Sequence, residues 1–372
     1  MRSATPDFVN CIIGGGVVGL AIGARIAKRG VPSVIIERHA QVGQETSSRN
    51  SEVMHAGLYY KPDSLKTKLC IKGNRMLYEF CKEHNVPCKN VGKWIVAQVE
   101  KQRSYLNKLH EHCSKVGVPT RFVGQDELKD KEPDVRANSA VLESPNTGII
   151  DSHTLMQTLL GQYEDAGGDL ALQCTVSSIS RTDHGYEIST SSKNGLDQSS
   201  FTAERVINAA GLGACHIANT VLPIEKHIPS YYTKGTYFSY SASHPKPSRL
   251  IYPCPEENFA GLGTHLTMDL SGRIRFGPDI EWTKDPTDLV AQESRLSGAY
   301  EAIKKYLPGI DRDALAPDYC GMRPKLTPQG TQDFVIRNEQ GLPGWINLLG
   351  IESPGLTSCL AIAEYVEELI KS

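Results

Sequence analysis

The chain begins its ordered pattern with a short β-favouring run, Phe8 to Ile13. Three glycines follow, and Val17 to Arg29 then carries apolar positions at helical spacing until Gly30. Ser33 to Glu37 is the next apolar run, so the three segments predict a βαβ unit with strands buried in a parallel sheet. A polar loop from Gly43 to Ser51 precedes two amphipathic helical patterns, Leu65 to His84 and Lys101 to Val116, the second closed by Gly117. Helix is expected again over Ser152 to Ala166, ended by Gly167 and Gly168, and strands over Leu170 to Ile179, Gly185 to Thr190 and Arg205 to Asn208. From Tyr231 to Phe276, short β-rich segments punctuated by Pro and Gly predict an antiparallel sheet. Asp288 to Tyr306 is expected to be helical, and Trp345 to Ile351 to be the last strand. The closing helix, from about Leu356 to Lys371, places Leu360, Ala363, Val366 and Ile370 at helical spacing.

This alternation predicts an α/β fold. A Rossmann-like dinucleotide-binding domain would be built from residues 1–90, 145–225 and 320–372, and an antiparallel-sheet α+β substrate domain from residues 91–144 and 226–319. With no repeat or low-complexity linker between them, the two are expected to interleave. The 372 residues carry 40 Lys+Arg against 42 Asp+Glu, a net charge of -2, which lacks the basic excess a nucleic-acid partner would require. Ten cysteines without a Cys-x-x-Cys pair suit a reduced intracellular compartment better than a disulfide scaffold. His110-Glu111-His112-Cys113 reads as a solvated helix face, and no metal site is expected. No apolar run reaches the length of a membrane span. The stretch Cys11 to Ala24 is interrupted by glycines, so neither a signal nor a transit peptide is expected.

Gly14-x-Gly16-x-x-Gly19 falls where the first strand turns into the helix. Gly14 permits the tight turn, Gly16 lets a pyrophosphate approach the amides at the helix start, and Gly19 allows close packing. Gly15, Val17 and Val18 lie within this candidate phosphate site. Glu37, followed by Arg38 at the end of the second strand, stands 23 residues after Gly14, where a carboxylate can accept from both ribose hydroxyls. Thr46-Ser47-Ser48-Arg49-Asn50-Ser51 then offers hydroxyls, an amide and a guanidinium, suited to a second pyrophosphate contact or a ribityl chain. An NAD enzyme would usually continue into another βα repeat at this point, so the pattern favours FAD.

The chain resembles the glycine oxidase/D-amino-acid oxidase superfamily of FAD-dependent oxidoreductases over essentially its whole length. Gly148-Ile149-Ile150-Asp151 before a helix, Cys174-Thr175-Val176, and Val206-Ile207-Asn208-Ala209-Ala210-Gly211 are similar to successive elements of that FAD domain. The resemblance implies that Val176 lies near the adenine and that Ala210 and Gly211 pass close to the dinucleotide. Within the superfamily, Asn50 to Pro62, Ser64-Leu65-Lys66, Lys234 to Phe238, Gly263 to Thr267 and Phe276-Gly277-Pro278 are similar to L-2-hydroxyglutarate dehydrogenases. Gly350 to Ser358 departs from the Asn-Ala-Pro-Ser-Pro-Ala-Ala form common in that group, which bears on substrate but not on the flavin.

The implied activity is FAD-dependent oxidation of a small-molecule L-2-hydroxy acid. Rival readings are an amine-oxidising relative, a glycerol-3-phosphate dehydrogenase and a catalytically silent flavin protein. His55, which titrates near neutral pH, is the first candidate base, or the point of covalent FAD attachment seen in some relatives; His265 is the second. Arg323 is placed like the superfamily's substrate-carboxylate arginine, with Lys234 or Lys61 available to another carboxylate and Tyr60 beside the flavin. The helix start at Gly355, Leu356 and Thr357 would aim its amides at negative charge on reduced flavin. Electrons would pass to oxygen, a quinone or another flavoprotein, in the mitochondrion or the cytoplasm.

Overall fold

The computed structural model describes residues 5–192, 195, 197–255, 264–330 and 332–371. Phe8–Ile13 pairs in parallel with Ser33–Ile36 on one side and with Gln198–Asn208 on the other, Cys11 standing opposite both Val34 and Val206. Asp169–Ala171 extends this ladder beyond Ser33–Ile36, and Trp345–Leu349 extends it beyond Gln198–Asn208. Antiparallel strands Cys174–Thr182, Gly185–Ser192 and Val335–Asn338 complete an eight-stranded sheet. Its central residues Ile12, Ile35 and Ile207 are fully buried, as expected of parallel strands covered on both faces. The helices Val17–Ala27, Ser152–Asp165 and Gly355–Lys371 cover one face through Leu20, Leu155, Leu159, Ile362 and Val366.

A second sheet has nine strands. Its order is Glu281–Thr283, Tyr231–Tyr240, Ile274–Phe276, Leu266–Met268, Leu250–Pro253, Lys93–Ala97, Ala140–Ser144 and Arg121–Val123, with Leu315–Lys325 also paired to Tyr231–Tyr240. Most pairs are antiparallel, but Leu250–Pro253 runs parallel to Lys93–Ala97. A small sheet of Val53–Met54, Gly148–Ile150 and Cys88–Lys89 completes the architecture.

Three expectations need correction. The run Leu170 to Ile179 is two strands, because Gln173 adopts φ +54° and donates its amide to the His39 carbonyl, sending Cys174 onward into a hairpin. Only Leu296–Lys304 of the segment Asp288 to Tyr306 is α-helix. Asp285 and Asp288 accept the amides of Thr287 and Val290, which gives the preceding backbone turns in place of helix. Cys113 is fully buried in the core and only its neighbours approach solvent, so the His110 to Cys113 group is not a solvated face throughout. No group of His, Cys, Asp or Glu among the described residues has the arrangement of a metal site. No helix among them is long and apolar enough to cross a membrane.

Candidate active site

Between the first strand and the first helix the chain turns through Gly14, at φ +108°. A Cβ on Gly14 would stand 2.5 Å from the Ala209 carbonyl oxygen, and one on Gly19 would stand 2.0 Å from the Gly14 carbonyl oxygen. The two glycines therefore allow the helix start to lie against the sheet's carboxyl end, where first-turn amides have no intrahelical acceptor. Gly16 is the N-cap and has no side chain to satisfy them; Ser47 Oγ accepts from the Val17 amide instead, at 3.0 Å.

Glu37 is 7% exposed, and both its oxygens are held by backbone. Oε2 accepts from the Gly15 amide and Oε1 from the His39 amide, each at 2.8 Å. A carboxylate oriented in this way keeps further lone pairs for hydroxyl donors at the cavity wall it helps to form. Arg38 is exposed and pairs with Glu45.

The polar loop joins the two halves of the molecule. Thr46 Oγ1 donates to the Met322 carbonyl at 2.9 Å, and the Tyr319 hydroxyl donates to the Asn50 carbonyl at 2.6 Å. Asn50 Nδ2 donates back to the carbonyls of Thr46 and Ser47, fixing the loop's own shape. At Gly321 a Cβ would stand 2.1 Å from the Arg49 carbonyl oxygen, so strand and loop are in direct backbone contact. A cavity of about 560 Å³ runs from the glycine-rich turn, past this loop, to the nine-stranded sheet.

At the sheet end, Tyr252 and His265 are cross-strand neighbours on the cavity wall. Tyr237, also on the wall, stacks on Tyr319 with ring centroids 4.5 Å apart. Arg323 shares the Tyr319 and Gly321 side of its strand. Its half-buried guanidinium borders the cavity, and among the described residues it has neither a carboxylate nor a hydrogen-bond partner.

His55 lies where the small sheet meets the C-terminal helix. Its amide donates to Thr357 Oγ1 at 3.0 Å, its carbonyl accepts from Asn74 Nδ2 at 3.1 Å, and its Nε2 lies 3.4 Å from Ser353 Oγ. Burial, reinforced by the cations Lys93 and Arg323, pushes the imidazole down to about 3, so the ring is neutral at ordinary pH and can accept a proton. Beside it Glu352 accepts from Lys66 at 3.0 Å and from Lys325 at 2.8 Å, all three being buried cavity residues. Burial acts to raise the Glu352 carboxyl, but the two ammonium groups outweigh it and hold the group below the usual carboxylate range. The trio leaves one surplus positive charge at this end of the cavity.

The cavity thus brings together Gly14, Gly16, Val17, Val18, Glu37, Arg38, Thr46, Ser47, Arg49, Asn50 and Ser51 with Val176, Ala210, Gly211, Gly355, Leu356 and Thr357. His55, Tyr60, His265 and Arg323 border the same space. Gly15 and Gly19 stand behind the wall as supports, and Ser48 caps its own turn by donating to the Glu45 carbonyl. Lys234 is not brought to the cavity. It is fully buried on the sheet and its ammonium is taken by Asp288 at 2.8 Å. Lys61 is exposed, and Gly263 lies outside the described residues. Lys66, Glu352, Lys325, Tyr252 and Tyr237 were not expected. The sequence signal for the lysines is a charge set within or beside apolar segments, as in Leu65-Lys66-Thr67.

Known proteins resemble this chain over nearly its whole length. L-2-hydroxyglutarate dehydrogenase, mitochondrial, of Arabidopsis thaliana is 38% identical over 95% of this chain and 82% of its own length. A glycerol 3-phosphate dehydrogenase of Caloramator mitchellensis is 30% identical over 98% of this chain and 74% of its own. Among solved structures, the L-alpha-glycerophosphate oxidase of Mycoplasma pneumoniae with FAD bound superposes with a TM-score of 0.89. It covers 98% of this chain and 95% of its own at 22% identity. Glycine oxidase from Geobacillus kaustophilus, at 19% identity, reaches 0.83, covering 99% and 95%. The sequence model of the FAD dependent oxidoreductase (DAO) family matches residues 11–369, and this chain belongs to that family of FAD-dependent oxidoreductases.

Proposed function

We propose that this enzyme oxidises L-2-hydroxyglutarate to the 2-oxo acid. The observation that carries this reading is the meeting of a neutral histidine, His55, and a guanidinium, Arg323, that has no partner among the described residues, at the far end of the cavity that begins at the glycine-rich turn. Relatives at 38% and 30% identity are named L-2-hydroxyglutarate dehydrogenases, which supports the same substrate class, while another at 30% is named a glycerol 3-phosphate dehydrogenase.

The residues fit the cofactor. The helix start beyond Gly14 and Gly16 would hold the pyrophosphate, Glu37 the ribose, and Val176 with Ala210 the adenine end. Thr46 to Ser51 would hold the middle of FAD and the amides of Leu356 and Thr357 the flavin ring. When bound, FAD supplies the acceptor for the hydride leaving the α-carbon. The protein's own work is then to place the substrate and move a proton. Arg323 engages the α-carboxylate, ideally through two parallel hydrogen bonds, which fixes the carbon's orientation. His55 Nε2 takes the hydroxyl proton, and Ser353 Oγ steadies the ring. Substrate carboxylates beside the two cations offset the smaller, cationic part of the pull on His55, while burial, the larger part, remains. The first-turn amides of the helix Gly355–Lys371, with the Lys66, Glu352 and Lys325 cluster beside them, favour negative charge on the reduced cofactor.

Anaerobic bleaching of the purified holoenzyme tests this reading against L-2-hydroxyglutarate, glycerol 3-phosphate, glycine, sarcosine and D-amino acids. Bleaching by the hydroxy acid alone supports it, and bleaching by the amines or by glycerol 3-phosphate alone overturns it. Adding oxygen, a quinone or a second flavoprotein singly to the reduced enzyme identifies the acceptor. Ten free cysteines support an intracellular setting.

A further inference from the structure

Four lysines among the described residues are buried: Lys66, Lys93, Lys234 and Lys325. Lys66 and Lys325 share Glu352, and Lys234 has Asp288. Lys93 is the exception. Its side chain is 1% exposed and no described carboxylate or hydrogen-bond acceptor meets its ammonium, which instead lies 4.9 Å from the Tyr59 ring centroid and 4.7 Å from that of Tyr252. Two aromatic faces offset only part of the cost of taking an ammonium out of water. Burial lowers the group to about 8, so it remains largely charged at neutral pH.

Its position explains where such a charge would act. Lys93 begins the strand Lys93–Ala97 and pairs with Leu250, two residues before Tyr252 on the neighbouring strand, so Lys93 and Tyr252 share a face of the sheet. Tyr252 in turn stacks on His265, and both border the cavity. Lys93 therefore stands one side chain behind the wall, and its charge reaches His55 together with that of Arg323.

We propose that Lys93 is the counter-charge for the distal carboxylate of the substrate, the residue that makes this site take a dicarboxylic 2-hydroxy acid in preference to a monocarboxylic one. The inference rests on the hydroxy-acid reading above. Arg323 would hold the carboxylate next to the reacting carbon, and the distal carboxylate would reach past the Tyr252 edge to Lys93. An unpartnered buried cation is costly in the free protein, and a ligand that pairs with it recovers that cost as affinity for the correct chain length.

The test compares wild-type and Lys93→Met holoenzymes in two ways. One is flavin reduction by L-2-hydroxyglutarate and by L-2-hydroxybutyrate; the other is binding of glutarate and butyrate, read from the flavin spectrum. The expected result is a loss on the order of a hundredfold in glutarate affinity and in kcat/KM for the dicarboxylate, arising in KM; butyrate affinity and KM for hydroxybutyrate should hold, while its kcat should rise as His55 loses a neighbouring cation. The ligand-free variant should melt at a higher temperature than wild type, an outcome a structural lysine would not give. Unchanged glutarate affinity, or equal losses for both ligand lengths, overturns the proposal while leaving the oxidation of L-2-hydroxyglutarate intact. If wild type neither binds glutarate nor bleaches with the hydroxy acid, both readings fall. Lys93-dependent glutarate binding without bleaching removes only the reaction. Lys93→Gln stands in if the methionine variant does not fold, and failure of both to take up flavin makes Lys93 a folding residue and ends the proposal.

Discussion

Tyr252 and His265 lie face to face across neighbouring strands, with ring centroids 3.7 Å apart and planes 3° from parallel. A ring held in a stack gains packing from its face, whereas His55 Nε2 meets, among the described residues, Ser353 Oγ alone. The two histidines should therefore separate kinetically. His55→Gln should lower the rate of flavin reduction about 10²- to 10³-fold with flavin content unchanged, the range lost with a general base. His265→Phe, which preserves the stack, should retain most of the rate. Stopped-flow reduction under anaerobic conditions measures both, and the opposite ranking would move the base to His265.

The pH behaviour of His55 follows from its burial. Its folded value of about 3 lies below the ordinary 6.5, so between these limits the unfolded chain binds a proton that the folded protein does not. The stability contributed by the neutral ring is present above pH 6.5 and is lost as the pH falls towards about 3. In thermal melts across this window, His55→Gln should flatten the acid decline. The kcat/KM profile of wild type should show no limb near 6.5, and a limb there would mean that the ring is not held as described.

Removal of Glu37 should act on cofactor retention. Glu37→Ala strips the acceptor from the Gly15 and His39 amides as well as from the ribose, so FAD should dissociate on gel filtration, with stability lower by about 1–3 kcal/mol. Glu37→Gln, which keeps one acceptor oxygen, should retain an intermediate fraction. Flavin absorbance relative to protein absorbance gives the answer, and full occupancy in the alanine variant would remove Glu37 from the cofactor site.

Arg323→Lys keeps the charge and loses the fork. KM for the hydroxy acid should rise about tenfold, and Arg323→Ala should raise it further, because a point charge cannot grip a carboxylate through two parallel bonds. Steady-state kinetics with flavin content as control decides it; an unchanged KM in the alanine variant would show that the carboxylate binds elsewhere.

Glu352→Gln should be among the most destabilising single changes near the cavity. It removes the carboxylate that bridges the buried Lys66 and Lys325 ammonium groups, leaving Lys66 only the more distant Asp333, and breaking a buried pair of this kind costs about 3–5 kcal/mol. The melting temperature should fall accordingly, and Lys66→Met introduced into that variant should restore part of it. Additive losses in the double variant would mean that the three groups do not act as one cluster.

Much of the dinucleotide half was legible in the sequence, because local chemistry there agrees with the fold. Leu65–His84 has the predicted bounds, with Ser64 accepting from the Thr67 amide at its start and Asn85 left-handed at its end. The glycine-rich turn and Glu37 meet because a βαβ unit brings successive strand ends together whatever surrounds them. The strand Leu315–Lys325 was not legible: Pro317, Gly321 and Pro324 punctuate it as they would a loop, and only pairing along Tyr231–Tyr240 holds it extended. Val53–Met54 and Gly148–Ile150 are too short to leave a periodic signal. Lys234 was misplaced for a related reason, since its partner Asp288 lies 54 residues away in a turn expected to be helix.

The loop from Thr46 to Ser51 is fastened on one side to the first helix and on the other to Met322, Tyr319 and Gly321. A swing of one sheet against the other would have to break these bonds together, so the loop ties the halves to each other beside the cavity. Mutations that loosen this loop should therefore act twice, weakening hold on the cofactor and the join between the sheets at the same stroke.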